Sequence, residues 1–135
     1  MKIAIASSGK NLESQIDPRF GRCPYFLIAD SEKEEFEFLD NAATQAFRGA
    51  GVSAAQLVAS KGAKAVIAGN FGPNAVNVLG TSGIKIFGGV FGLTVKEALD
   101  QYRAGKLKET TVATTPSGLG MGRGMAVTAG RQGRG

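Results

Sequence analysis

KIAIAS at residues 2–7 is a short apolar run that breaks at once into polar Ser8, Gly9 and Lys10, the pattern of a buried strand entering a loop. YFLIA at 25–29 reads as a second strand. After a charged turn at 31–34, EFEFL at 35–39 alternates acid with apolar side chain, the period of a strand with one wet face. These two strands predict a hairpin. The rhythm then changes. AGVSAAQLVASK at 50–61 is alanine-rich and stops at Gly62, which predicts a helix, and AKAVIA at 63–68 supplies another strand. Pro73 suits the first position of a short helix through Leu79, closed by Gly80 and Gly83. IKIF at 84–87 is a fifth strand. Thr94 and Glu97 have capping-box spacing, and Val95, Ala98, Leu99 and Tyr102 share one face of the helix that follows, which Gly105 ends. The order β, β, β, α, β, α, β, α predicts an α/β fold: a mixed sheet with an antiparallel start, parallel later units and helices on its faces.

Beyond Lys108 the pattern fades. Glycine is frequent, aromatics are absent and apolar residues never reach core density, so the expected division is one domain over 1–108 and a flexible tail over 109–135. Gly118, Gly120, Gly122 and Gly124 miss the G-x-G-x-x-G spacing and follow no strand, which argues against a dinucleotide loop. The net charge of +5 is unevenly spread. Up to Glu109 there are 13 basic against 11 acidic residues, and the remainder adds Arg123, Arg131 and Arg134 without an acid. The folded part is thus mildly basic with scattered charges. A positive field of that kind can attract an anion, and nucleic-acid binding is not indicated. No apolar run approaches the roughly 20 residues of a membrane span and no signal-peptide core follows the start, so a cytoplasmic location is expected. Histidine is absent and cysteine occurs once, which removes internal disulfides, Ser-His-Asp chemistry and zinc sites.

In parallel βα units, ligands gather where strand carboxyl ends meet helix amino ends, because unpaired amides and the helix dipole both favour negative charge. Ser7-Ser8-Gly9, Gly69-Asn70-Phe71-Gly72-Pro73 and Gly88-Gly89-Val90-Phe91-Gly92 end at such an edge, and Gly49-Ala50-Gly51 opens the first helix there. Their glycines fit close approach of backbone to ligand, and equally fit ordinary turns. Another segment, DPRFGRCPYF at 17–26, is denser in chemistry. Asp17 and Pro18 fit a turn and Phe20 fits inward packing, which leaves Arg19, Arg22 and Cys23 to be explained. Two guanidiniums beside a thiol would lower its pKa and draw in an anion, whereas a cysteine that merely packs is a small hydrophobe. The residues leave both readings open.

Asp17 is the one acid near this edge, so an enzyme acting here on a phosphorylated or nucleotide substrate would use it as base. A two-metal nuclease would want a carboxylate on the first strand, and KIAIAS has none. A third reading is an interaction module whose arginine-bearing tail docks on an acidic partner.

KIAIAS, FGRCPYFLIAD at 20–30, Asn41, GAG at 49–51, VIAGNFGPNAVNVLGTSGIKIF at 66–87 and TVKEALDQYRAGKL at 94–107, taken in order, resemble the dinitrogenase iron-molybdenum cofactor biosynthesis family over about residues 1–108. The resemblance implies a ribonuclease H-like fold, a five-stranded mixed sheet with helices on both faces, without nuclease activity. For function it implies binding, storage or delivery of an iron-sulfur or iron-molybdenum type cluster or its precursor, with a donor or recipient protein as partner and no turnover. The family positions carried over are Phe20, Gly21, Arg22, Gly51, Gly69, Gly72 and Pro73, with Arg19 and Asn70 on the same edge. Histidine, frequent in the family near the position of Arg19, is missing, and that puts the metal-ligand role on Cys23. One thiolate cannot hold a cubane cluster, which takes about four. A preassembled anionic cluster carrying its own sulfides could instead be cradled by amides and arginines, with Cys23 as one anchor, duplicated across a homodimer.

Overall fold

The computed structural model describes residues 1–41 and 49–110. Strands β1 (Lys2–Ser7), β2 (Tyr25–Asp30) and β3 (Phe36–Asp40) precede α1 (Ala50–Ser60), β4 (Ala63–Ile67), α2 (Pro73–Thr81), β5 (Lys85–Phe87) and α3 (Val95–Arg103). The five strands form one sheet in the order β3-β2-β1-β4-β5. β1 lies antiparallel to β2 with Ile5 opposite Leu27, and parallel to β4 with Ile5 opposite Ile67. The expected mixed α/β sheet is therefore present, with β1 at its centre buried on both faces.

Side-chain alternation sorts the core into two layers. Ile3, Ile5, Leu27, Ile67 and Phe87 face α3 through Val95, Ala98 and Leu99, while Ala4, Ala6, Phe26, Ile28 and Val66 face α1 and α2. On that second side β1 offers only alanines, and the shallow space above them is filled from a loop by Phe20, whose ring lies 5.3 Å from that of Phe26 and 4.9 Å from that of Phe71. Burying such a ring contributes about 2–3 kcal/mol.

Local signals explain most boundaries. Thr94 accepts from the Glu97 amide while the Glu97 carboxylate accepts from the Thr94 amide, so the capping box opens α3 as its spacing predicts. At α2 the expected stop at Gly80 does not occur, since the helix runs to Thr81 and Gly83, at φ 73°, makes the reversal instead. After α3, Leu107 packs against the α3 layer. The Thr110 amide then donates to the Ile86 carbonyl at 2.6 Å and its hydroxyl accepts from the Gly88 amide at 3.0 Å, so β5 holds the chain two residues past the expected boundary at Lys108. The rest of the expected tail, 111–135, lies outside the described residues. Among the described residues no helix is long and apolar enough to cross a membrane.

Candidate functional site

The 17–24 loop crosses the carboxyl edge of the sheet and is tied down at both ends. The Asp17 amide donates to the Ala6 carbonyl at 2.9 Å, and the Asn41 side-chain amide donates to the carbonyls of Gly21 (3.2 Å) and Cys23 (2.8 Å). Midway, Arg19 pairs in parallel with Asn70: the Asn70 amide donates to the Pro18 carbonyl at 2.7 Å and the Phe20 amide to the Asn70 carbonyl at 3.2 Å. The next residue, Phe20, enters the core and is 1% exposed, so it anchors the loop from below and does not line the edge.

Gly21 then lands on α1. A Cβ at Gly21 would lie 2.8 Å from the Gly51 nitrogen and 2.9 Å from its Cα, closer than real Cβ contacts come, and a Cβ at Gly51 would lie 3.2 Å from the Ala75 Cβ on α2. Loop, first turn of α1 and first turn of α2 are thereby stacked at backbone distance. Gly72 is the N-cap of α2 and Pro73 its first residue, where the missing N–H costs nothing. Neither α1 nor α2 has a side-chain cap or an acid in its first turn, whereas α3 carries its capping box. Helix amino ends leave their first amides without intrahelical partners and bear a partial positive charge. Two such ends, side by side and with no acid in either first turn, can accept an anion without any coordinating side chain.

Charge around them is less concentrated than the sequence suggests. Asp17 is 5% exposed and its carboxylate accepts from the Arg19 amide (2.8 Å), Nε (3.3 Å) and a terminal guanidinium nitrogen (3.4 Å). That engagement makes Asp17 a brace for the loop and spends much of the Arg19 cation on it. Arg22 is exposed next to Gly21.

Cys23 departs from the expected metal anchor. It is fully buried, its thiol donates to the Phe20 carbonyl at 3.3 Å, and its pKa is pushed up to about 12 by burial first and by the Asp17 charge second. The arginines do not lower it, because the one at 19 is turned to Asp17. A thiol that stays protonated inside a core is not the ligating form. Among the described residues no three His, Cys, Asp or Glu side chains converge as a metal site.

Gly69, the remaining predicted residue, is buried beneath an aromatic ring that the sequence reading passed over. A Cβ at Gly69 would lie 2.4 Å from Cε1 of Phe91 and 2.9 Å from the Pro18 Cα. Phe91 is 55% exposed. Its signal was the aromatic set within Gly88–Gly92, at a loop already placed on this edge. Two surface pockets lie elsewhere, one lined by Lys2, Ile28 and Phe36 and one between β3 and α3 lined by Leu12, Phe36 and Leu99. Neither includes a residue of the amide-rich edge.

Comparison with known proteins identifies the family and the fold. The profile of the dinitrogenase iron-molybdenum cofactor family matches residues 1–105. An uncharacterized protein of Methanocaldococcus jannaschii is 32% identical over 112 residues, covering 81% of this chain and 91% of its own. The orange protein of Desulfovibrio gigas, solved in its apo form, is 34% identical with a TM-score of 0.82, over 84% of this chain and 96% of that one. A Thermotoga protein solved by NMR and named as a NifB candidate is 38% identical with a TM-score of 0.75, over 86% of this chain and 98% of that one. By profile, sequence and fold together, the chain belongs to the dinitrogenase iron-molybdenum cofactor family.

Proposed function

We propose that the protein binds a preassembled anionic metallocluster, or a precursor, of iron-sulfur or iron-molybdenum type, and carries it between a donor and a recipient protein without chemical turnover. One observation carries this reading: the amino ends of α1 and α2 stand together without cap or acid, while α3, on the far face, is fully capped. The donor set suits a cluster that brings its own sulfides. It offers backbone amides and exposed guanidinium, and it lacks the roughly four thiolates that would build a protein-ligated cubane. The strand order and antiparallel start also support a ribonuclease H-like classification. Against the competing enzyme reading, the Asp17 oxygens are engaged by Arg19.

In this account the cargo is held by hydrogen bonds and charge, so Cys23 is dispensable. Anaerobic titration with tetrathiomolybdate, followed by visible absorption, is expected to saturate for wild type and Cys23→Ala with equal stoichiometry and affinity. Loss of binding in a folded Cys23→Ala protein would restore the thiolate anchor and contradict the amide cradle. Failure of the wild type to bind would remove the carrier reading.

A further inference from the structure

Phe91 is the most exposed of the large apolar side chains among the described residues, yet its position is built with care for backbone fit. Gly89 and Gly92, at φ 75° and 74°, flank its short loop in a region that side-chain-bearing residues rarely adopt. The loop is fastened to the end of β4, with the Gly89 amide donating to the Gly69 carbonyl at 2.7 Å. The ring edge carrying Cδ1 and Cε1 rests on Gly69, where no side chain would fit because the Pro18 Cα crowds the same position. Thus Phe91 sits on Gly69, the Arg19 backbone pairs with Asn70, and α2 begins at Pro73: aromatic ring, arginine-bearing loop and helix amino end all attach to one five-residue stretch.

We infer that Phe91 sets the ligand selectivity of this edge, favouring weakly hydrated, sulfur-rich anions over strongly hydrated oxyanions; the inference rests on the carrier reading above. An oxyanion brought against the phenyl ring loses water there and gains no hydrogen bond, a cost that rises with its charge density. A sulfide-rich anion spreads its charge over large polarizable atoms, which pack well against an aromatic ring and meet its electropositive rim. The amides of α1 and α2 bind either kind of anion, so discrimination between them falls to the ring.

The test measures affinities for tetrathiomolybdate and for molybdate on the full chain, as wild type, Phe91→Ala and Phe91→Tyr. The wild type prefers the thio-anion. That preference falls about three- to tenfold in Phe91→Ala, in line with the energy of an aromatic contact, and is kept in Phe91→Tyr. Melting temperatures stay equal for Phe91→Tyr and fall only slightly for Phe91→Ala, because just over half of the side chain is exposed and one ring edge packs on Gly69. An unchanged preference in Phe91→Ala overturns the selectivity role while leaving the carrier reading standing. A wild type that binds neither anion overturns both.

Discussion

Truncating Phe20 to alanine is expected to destabilise the protein by about 3–5 kcal/mol and to abolish anion binding in whatever fraction stays folded. The reason lies in β1, whose α1-side residues are only Ala4 and Ala6, so that a ring supplied from the loop completes that layer against Phe26 and Phe71. Removing it opens a cavity between three elements that cannot collapse onto one another. It also frees the loop, since Phe20 pins residues 19–22 into the core from below. Chemical denaturation and tetrathiomolybdate titration read the two effects separately. Phe20→Leu, which refills much of the volume, should recover most of the stability. A Phe20→Ala protein of near wild-type stability would mean that the ring does not hold the loop.

Gly21→Val is expected to cost about 1–3 kcal/mol and to lose binding more completely than that cost implies. Any Cβ at 21 meets the Gly51 nitrogen and Cα, which are backbone and have no rotamer in which to retreat. The loop must therefore lift from α1, moving Arg19 and Arg22 away from the amide cluster. A variant that melts a few degrees lower but binds normally would show that the Gly21–Gly51 contact is only packing.

How much of this could be read from residues alone follows the range of each signal. The capping box of α3 is local and appears as its spacing predicts, whereas EFEFL yields a strand without the clean alternation its pattern predicts, since Phe36 is 49% exposed and Phe38 and Leu39, on opposite faces, are both half-buried. The central place of β1 is not local: it depends on pairing with β2 and β4 across the sheet, which no periodicity within KIAIAS reveals. The site divides the same way. Glycines at 21, 51 and 69 fall along one edge, but their physical reason is contact between residues more than 20 apart, such as Gly21 on Gly51. A thiol among arginines, as at Cys23, looks reactive in one dimension. In three, Arg19 serves Asp17, and Asn41, 18 residues away, locks the Cys23 segment shut. For Phe91 the converse holds: its place within Gly88–Gly92 sets it on this edge, while its seat on the bare Gly69 is legible only in the fold.

The central claim is that unneutralised helix amino ends hold the anion, and Asn74→Asp tests it most directly. Asn74 is exposed at the second position of α2, so this isosteric change adds an acid to the helix dipole's positive end. The account predicts opposite signs in one protein: stability rises by about 0.3–1 kcal/mol while tetrathiomolybdate affinity falls at least tenfold. Undiminished affinity in a stabilised Asn74→Asp protein would contradict it, since the anion would then be bound somewhere the helix ends do not reach.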